Sequence, residues 1–393
     1  MKIIHVTSHF LPEVVGGVEN YVYHLSKEFI KQGHEVKIYT SKSDRTAAST
    51  TEFDGIPVIR IPTLYKIYNT PILPSLFLRL IKEDADVIHA HLPHPMVYDI
   101  TAFNCHFRRI PLIVTVHNLE VGRGSSLSSL NTLFSKLYSN SLLSLTLRFA
   151  KRIITTTHQY IETADILKKM RSKITVIPVG VDLRYLKSKY DKEKLKNEMS
   201  LSDKLVILFV SKLTASHRYK GLTYLLKALS RIHKIAPEIR LFVIGKGELR
   251  PYYEDLSRKL HIDDKVNFTG FVEEETLKKY YTLADLLVLP SITKLEGFGM
   301  VALEALAFGT PVISTDIAGV SEVLTKEKCG IVVESRNSVA LAKAIRTFLL
   351  DKELARELSI RGRKVIAQKY NWAEISKRML NIYQELAEDF IKK

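Results

Sequence analysis

The sequence lacks the features of secreted, disulfide-bonded and membrane-spanning proteins. Its 393 residues include only two cysteines, Cys105 and Cys329, whose wide separation predicts neither a disulfide framework nor a thiolate metal site. The first segment, MKIIHVTSHF, has the pattern of a buried strand rather than a signal peptide, and no apolar run is long enough to span a bilayer. We therefore expect a cytoplasmic protein in a reducing compartment.

Acidic residues are too few to balance the basic ones. The 58 lysines and arginines exceed the 42 aspartates and glutamates, which gives a net charge of +16. Such a charge suits an anionic partner, whether nucleic acid, phospholipid head groups or a phosphorylated substrate. Because the excess is spread over both halves of the chain and no nucleic-acid motif is recognisable, we expect no nucleic acid among the partners.

Short β-branched runs alternate with helical patterns along the whole chain. This order is typical of parallel sheets with crossover helices, and the near-continuous apolar runs indicate strands covered on both faces. The predicted strands of the first half span 2–10, 35–41, 58–62, 86–91, 111–118, 152–157 and 173–180. Those of the second half span 204–211, 238–245, 265–272, 285–291, 310–316 and 329–334.

The length and the charged segment 181–200, which contains no strand pattern, predict two domains. We expect an α/β fold of two doubly wound, Rossmann-like domains that face each other across a cleft. The first covers 1–183 and is completed by a C-terminal helix at about 371–393, and the second covers 184–370. Because such sheets bind ligands at the carboxyl ends of their strands, the cleft is the expected site.

The segment SITKLEGFGMVALEALAFGTPVI, residues 291–313, carries the clearest chemical pattern. A strand leads into a glycine-containing loop and then a helix from near Gly299 to about Phe308, with Glu296 in the loop and Glu304 about one turn inside the helix. Unpaired N–H groups at such a helix start can bind a phosphate, and Glu304 can accept hydrogen bonds from sugar hydroxyls beside it. Alternatively, the glutamates only cap and solubilise a strand–turn–helix.

This segment resembles the E-x7-E signature of family 4 glycosyltransferases, the large retaining group with the two-domain GT-B fold, and the resemblance covers essentially the whole chain. It implies that Glu304 holds the donor ribose and that Glu296 holds hydroxyls of the transferred sugar. It also implies that the main chain of four consecutive residues binds the diphosphate: Phe298, Gly299, Met300 and Val301.

The segment VSKLTASHRYKG, residues 210–221, follows the first strand of the second half, where phosphate-binding groups collect. Lys220 and Gly221 match the family's Lys-Gly pair, whose lysine neutralises the departing β-phosphate. Where the family usually has Gly-Arg-Leu, this chain has Ser211-Lys212-Leu213. Lys212 keeps the positive charge of the family's arginine but loses its bidentate fork. Arg218 either supplies that fork or belongs to a solvated basic loop.

Two further glycine pairs have both a structural and a functional interpretation. Gly245 and Gly247 form a tight turn or, in register with the family, line the nucleotide pocket beside a base bordered by Phe271 and Val272. Gly16 and Gly17 form an ordinary turn before a helix or, as in the matching family loop, let donor and acceptor approach the backbone.

Histidines gather at predicted strand ends of the first half. By the resemblance, His117 in TVHN contacts the transferred sugar. His89, His91 and His94 in HAHLPH could form a metal cluster, but no carboxylate or cysteine joins them, so we interpret His91 as an acceptor-side residue. The sequence Asp84-Ala85-Asp86 imitates a metal-binding motif but lies far from the donor half. Since lysines and a helix N-terminus can carry the diphosphate charge, we expect no metal or other cofactor.

Residues 121–161 contain no acidic side chain, while arginines and lysines occur among many leucines and serines. Such a segment can lie on an anionic membrane, as can the apolar, aromatic segment 64–80, or both can belong to ordinary core helices. Contact with a membrane would favour a lipid-linked acceptor.

The prediction is transfer of a sugar from a nucleoside-diphosphate sugar to an acceptor hydroxyl on a glycan or lipid-linked molecule, with retention of the anomeric configuration. Glycogen- or sucrose-type synthases and sugar-nucleotide epimerases of the same fold are alternatives. A nucleic-acid-binding protein and a non-catalytic subunit are further ones. The sugar, the base and the acceptor are not evident from the sequence.

Overall fold

A computed structural model describes residues 1–42, 49–67, 70–92, 96–117, 141–187, 190–294 and 296–391. These residues form two compact units, Met1–Gly180 with Trp372–Lys393, and Val181–Asn371. No helix within the described ranges is both long and apolar enough to cross a membrane.

The first unit is built on an eight-stranded sheet in the order β10-β9-β8-β7-β1-β2-β4-β3, in which only the β3–β4 pairing is antiparallel. A separate antiparallel pair joins β5 to β6. The strands are β1 Lys2–Val6, β2 Glu35–Ser41, β3 Thr50–Phe53, β4 Ile56–Ile61, β5 Tyr65–Ile67, β6 Thr70–Ile72, β7 Val87–Leu92, β8 Leu112–Val116, β9 Arg152–Thr155 and β10 Ile174–Val176.

Helices cover this sheet and complete its core. They are α1 Gly17–Lys31, α2 Ser75–Leu80, α3 Val97–Arg108, α4 Leu142–Phe149, α5 His158–Thr163, α6 Asp165–Lys169 and, from the end of the chain, α15 Trp372–Ile391. The α1 helix buries Val22, Leu25 and Phe29, one apolar face at helical spacing. Trp372 at the start of α15 packs edge-on against Tyr21 of α1, with ring centroids 5.2 Å apart, so the final helix belongs to the first unit.

The second unit has a wholly parallel six-stranded sheet in the order β13-β12-β11-β14-β15-β16, which is the Rossmann strand order. Its strands are β11 Leu205–Val210, β12 Ile239–Ile244, β13 Val266–Gly270, β14 Leu286–Leu289, β15 Val312–Thr315 and β16 Ile331–Val333. Its helices are α7 Lys192–Glu198, α8 Leu222–Ile232, α9 Arg250–Lys259, α10 Glu274–Leu283, α11 Met300–Ala307, α12 Val320–Glu327, α13 Ser338–Leu350 and α14 Lys352–Lys369.

The predicted strands all exist, but most are shorter than the apolar runs suggested. The strand predicted over 173–180 ends at Val176, two residues before Pro178, which has no N–H to donate to a ladder. The strand predicted over 2–10 ends at Val6. Three strands were not predicted: the antiparallel edge strand β3 and the pair β5 and β6, which follow no buried apolar run.

Candidate functional site

The strand order of the second unit reverses between β11 and β14, and this switch point carries the main candidate residues. In open α/β sheets, ligands bind beyond the carboxyl ends of the strands at such a point. The loop after β11 carries Lys220, and the loop after β14 carries Glu296. Gly221 allows these two loops to meet. It has a left-handed φ of 76°, and a Cβ there would lie 1.9 Å from the carbonyl oxygen of Pro290.

Lys220 and Glu296 form an ion pair in this position. The Lys220 Nζ lies 2.8 Å from each carboxylate oxygen of Glu296. The hydroxyl of Ser291 donates a second hydrogen bond to Glu296, at 2.6 Å. Only 4% of Glu296 is exposed, so the carboxylate is buried with both oxygens satisfied. A buried carboxylate held in this way is a fixed acceptor rather than a mobile surface group.

Helix α11 begins directly after this loop. Gly299 precedes it with a left-handed φ of 89°, and a Cβ there would lie 2.6 Å from Leu289 of β14, so the start of the helix packs tightly against the strand end. The first N–H groups of a helix have no acceptor within it, which makes the main chain at Met300 and Val301 available to an anion. Phe298 is buried and can contribute only its main chain.

Glu304 lies one turn into α11 and is hydrogen bonded to a buried tyrosine. The Tyr281 hydroxyl donates to Glu304 Oε2 at 2.7 Å. Burial raises the pKa of Glu304 above its ordinary value, the Tyr281 hydrogen bond opposes that rise, and the negative charge of Glu274 adds to it. Burial raises the pKa of Tyr185 and the nearby Glu304 charge raises it further, so this tyrosine also lies close to the carboxylate. The Glu304 carboxylate and the phenol groups of Tyr281 and Tyr185 thus lie close together.

The other basic residues of the β11 loop differ in their surroundings. Lys212 is exposed, directly beyond the end of β11. The Arg218 guanidinium lies over the Tyr252 ring, 5.2 Å from its centroid, so this side chain already has an aromatic partner. Burial lowers the pKa of His217, and the positive charges of Lys220 and Lys212 lower it further. The charged groups of both lysines therefore lie near His217.

Gly245 and Gly247 serve the packing of neighbouring loops. A Cβ on Gly245 would lie 1.9 Å from the carbonyl oxygen of Ser211, and one on Gly247 would lie 2.2 Å from the carbonyl oxygen of Leu213. The glycines therefore let the β12 loop lie against the β11 loop.

Phe271 and Val272 follow β13. The Phe271 ring is exposed, with Lys246 Nζ 5.4 Å from its centroid, while Val272 is half-buried. An exposed aromatic ring beside a cation at the carboxyl edge of the sheet is available to a planar ligand.

The first unit has its own switch point, between β1 and β7. Gly16 caps α1 through its carbonyl oxygen, which accepts from the Asn20 N–H at 3.1 Å, and Gly17 is the exposed first residue of the helix. A Cβ on Gly16 would lie 2.5 Å from the carboxylate of Glu19. Glycine at position 16 is thus explained by the helix start, and the exposure of Gly17 leaves its backbone accessible.

A chain of histidines connects the core of the first unit to His117, directly after β8. His5 Nδ1 lies 3.0 Å from His91 Nε2, and His91 Nδ1 lies 3.2 Å from His117 Nε2. Burial lowers the pKa of His5 and of His117 to about 3 and holds that of His91 well below its usual range, so the rings are neutral at pH 7.

His89 lies beside this chain and makes hydrogen bonds with both of its nitrogens, to the Tyr383 hydroxyl and, at 2.7 Å, to Thr115 Oγ1. The potential metal-binding nitrogens of His5, His89 and His91 all lie within 4.8 Å of one another. His94, considered with this group in the sequence, lies outside the described residues. In the described residues both nitrogens of His89 and of His91 have hydrogen-bond partners, whereas the buried Nε2 of His5 has none.

Sequence reasoning missed four residues of these clusters. Ser291, Tyr281, His217 and His5 acquire their significance from contacts made in the fold. Tyr281 lies 23 positions before Glu304, and His5 lies 86 positions before His91, so no local pattern connects the partners. Only the position of His5 in a buried strand, facing the same side as alternate residues of the neighbouring strand, could have suggested its role.

Comparisons with known proteins bear on the whole chain. Residues 15–185 match the family described as Glycosyltransferase Family 4, and residues 191–365 match the family described as Glycosyl transferases group 1. An uncharacterised glycosyltransferase of Methanocaldococcus jannaschii is 30% identical over 98% of both chains. The O-antigen chain mannosyltransferase C of Escherichia coli is 25% identical over 99% of both.

Among solved structures, the sucrose-phosphate synthase of Thermosynechococcus elongatus is similar, with a TM-score of 0.74 and 25% identity over 98% of both chains. The similarity therefore extends over both units.

Proposed function

Because this chain belongs to glycosyltransferase family 4 and has the GT-B fold, we propose that it moves a sugar from a nucleoside-diphosphate sugar to an acceptor hydroxyl, with retention and without a metal ion. The observation that supports this most strongly is the Lys220–Glu296 pair at the switch point of the second unit, directly before the start of α11. One cation, one carboxylate and one helix N-terminus are the groups that a sugar diphosphate requires.

The donor diphosphate would bind at the helix start. Breaking the anomeric C–O bond leaves negative charge on the β-phosphate, and transfer is accelerated by groups that stabilise this charge more in the transition state than in the ground state. We assign that role to Lys220, to Lys212 and to the N–H groups at 298–301. Because these groups carry the charge, the proposed reaction needs no metal.

We assign the remaining donor contacts from the alignment of this chain with the family's motifs. Glu304 would accept hydrogen bonds from the ribose, and the main chain at Gly245 and Gly247 would line the nucleotide pocket, with Phe271 and Val272 beside the base. Glu296 would hold hydroxyls of the transferred sugar. Since it is fixed by Lys220 and Ser291, it would orient the sugar rather than attack it.

The first unit would supply the acceptor side. We assign His117 to a contact with the transferred sugar, His91 to its support, and Gly16 and Gly17 to a close approach of ligand to backbone. The names of the relatives indicate different products, an O-antigen chain for the Escherichia coli protein and sucrose phosphate for the synthase of Thermosynechococcus elongatus. A glycan or lipid-linked acceptor accords with exposed basic and apolar residues of the first unit, among them Arg148, Lys151 and Leu145, and the same residues support peripheral contact with an anionic membrane. Residues 121–140 of the basic segment predicted for this contact lie outside the described residues.

Thermal unfolding in the presence of UDP-, GDP- and ADP-sugars tests the proposal, since a donor stabilises the fold by mass action. The true donor should raise the melting temperature of the wild type and not of Glu304→Ala. With that donor and an acceptor, NMR of the product should show the anomeric configuration of the donor. An inverted product would contradict retention, and a changed free sugar without acceptor product would indicate an epimerase. Stabilisation by no sugar nucleotide would contradict the donor site.

A further inference from the structure

A cavity of about 800 Å³ opens in the first unit at the amino ends of its strands. Its lining comes from the C-terminal ends of α3 and α4 and from the segments that lead into β8, β9 and β10. His117 follows the opposite end of β8, so the length of that strand, roughly 16 Å, separates it from the cavity. The cavity is therefore distinct from the histidine chain.

Cations dominate this lining. Arg109, Arg148, Lys151 and Lys173 contribute to it, and no acidic residue is among its described lining residues. Lys173 Nζ donates to the carbonyl oxygens of Arg148 and Ala150, at 2.6 and 3.0 Å, and so closes the end of α4. Within the described ranges, no hydrogen bond or ion pair engages the side chains of Arg109, Arg148 or Lys151.

Helix dipoles account for only part of this positive charge. The ends of α3 and α4 each contribute roughly half a negative charge, about one in total, against four cations. Burial lowers the pKa of Lys173, and the positive charges of Lys151 and Arg148 lower it further, as expected where cations lie together without a counter-charge. An anion in the cavity would relieve this repulsion.

Exposed apolar side chains lie on α3 and α4 and on the neighbouring helix α2. Phe107 near the end of α3 is 72% exposed and touches Phe77 of α2 edge-on, with centroids 6.5 Å apart. Leu78 of α2 and Leu145 of α4 are exposed as well, and α3 contacts both helices. Apolar and aromatic side chains beside unpaired cations are typical of a surface that lies on an anionic bilayer.

We propose that this cavity binds the phosphate of an anionic lipid head group, with Arg109, Arg148 and Lys151 as its ligands and Phe107 entering the bilayer boundary. The proposal rests on the membrane contact proposed above and gives that contact a site. It commits to a lipid source because a soluble phosphate would give no role to the exposed Phe107 ring in the lining or to the exposed leucines of α2 and α4.

Flotation with vesicles tests this proposal on the full chain. Wild-type protein should bind vesicles of phosphatidylcholine mixed with phosphatidylglycerol and should not bind phosphatidylcholine alone. Each cation near an anionic surface contributes roughly fivefold in affinity, so the triple variant Arg109→Gln/Arg148→Gln/Lys151→Gln should bind roughly a hundredfold more weakly. Circular dichroism and the melting temperature show whether the variant is folded.

A matched variant removes three charges elsewhere on the same unit. Lys27→Gln, Lys31→Gln and Lys377→Gln lie on α1 and α15, which do not line the cavity, and together they should leave vesicle binding almost unchanged. Equal weakening in both triple variants would mean diffuse attraction and would overturn the proposal, as would an absence of vesicle binding. Stabilisation by inorganic phosphate, lost in the cavity variant and without vesicle binding, would assign the cavity to a soluble anion instead. None of these results depends on a sugar nucleotide, so they are independent of the donor test.

Discussion

Lys220 and Glu296 are bound to each other, with the lysine Nζ 2.8 Å from each carboxylate oxygen. The two groups proposed for opposite ends of the same donor, its β-phosphate and its sugar, therefore neutralise one another. A bound donor would be held between partners that are already close together, so little rearrangement is needed to assemble the site. The pair also ties the β11 loop to the β14 loop, and stability and activity should respond differently when it is changed.

Removal of Lys220 alone should destabilise the protein. The variant Lys220→Met leaves the buried carboxylate of Glu296 with Ser291 as its only described partner, and breaking a buried pair in this way costs on the order of 3 kcal/mol of unfolding free energy. In Lys220→Met/Glu296→Gln the buried charge is gone, so most of the stability should return. Transfer should stay at least about a hundredfold below wild type in both variants, because the charge that stabilises the leaving group is missing.

Urea unfolding and steady-state transfer assays measure these two effects. Lys212→Met is the matched control for stability, since an exposed lysine should contribute less than about 0.5 kcal/mol. Equal stability of the single and the double variant would contradict the energetic role of the pair. Recovery of transfer in the double variant would contradict the assignment of Lys220 to the leaving group.

The different surroundings of Lys212 and Arg218 give a second prediction. The Arg218 guanidinium lies over the Tyr252 ring. The positive charge of Lys212, like that of Lys220, adds to the effect of burial in lowering the pKa of His217. Lys212→Met should therefore lower kcat by about tenfold or more, and Arg218→Met should change it little. Lys212→Arg, which places a bidentate fork where the family usually has one, should keep or raise kcat. A larger loss in Arg218→Met than in Lys212→Met would transfer the role to Arg218.

Much of the fold could be predicted because each strand is a local pattern. The strand predicted over 35–41 coincides with β2, and the helix predicted from near Gly299 to about Phe308 coincides with α11 within one residue at each end. Strand ends were less predictable, since proline and turn geometry end a ladder before the apolar run ends, as in β10. The edge strand β3 escaped prediction because it pairs on one side only and alternates between exposed and half-buried residues.

The site could be predicted in part, for the same physical reason. Glu296 and Glu304 could be singled out as candidates because a loop and a helix start place them eight residues apart on one continuous segment. Tyr281 and Ser291 were not, because their hydrogen bonds depend on tertiary packing. Gly245 shows the same limit. Its Gly-x-Gly pattern left a tight turn and a ligand contact open, and the structure adds that a Cβ there would collide with the β11 loop, a contact between loops that no local pattern shows.

The pH dependence of donor binding should reveal the pair of Tyr281 and Glu304. If Glu304 accepts hydrogen bonds from the ribose, its ionised form binds, so affinity is full above its pKa and is lost as the pH falls through it. That pKa is already raised by burial. Tyr281→Phe removes the hydrogen bond that opposes the rise, so the loss should begin at a higher pH than in the wild type.

Isothermal titration with the donor at a series of pH values measures this shift. Tyr280→Phe is the matched control, because Tyr280 packs against Phe242, with ring centroids 5.4 Å apart, and so should leave the profile unchanged. The same profile in Tyr281→Phe and wild type would contradict a role for Glu304 in donor binding, provided that both proteins are folded.

The buried histidines should make the first unit sensitive to acid. The pKa of His5 and of His117 is about 3 in the folded protein, against an unfolded value near 6.5, so the unfolded chain binds more protons below pH 6.5. Their contribution to stability is therefore complete above pH 6.5 and declines as the pH falls towards 3. Each such histidine adds up to about 1.4 kcal/mol per pH unit to this decline.

His5→Leu should accordingly reduce the slope of unfolding free energy against pH by up to about 1.4 kcal/mol per pH unit between pH 6 and 4.5. Leucine places no ionisable group in the core, so the variant should lose relatively less stability in acid even if it is less stable at pH 7. Urea unfolding followed by tyrosine and tryptophan fluorescence measures this slope, and Phe29→Leu, which alters the packing against His5 without removing an ionisable group, is the control that should keep the wild-type slope. An unaltered slope in His5→Leu would mean that His5 takes up no proton on unfolding, which would contradict its neutral place in the histidine chain.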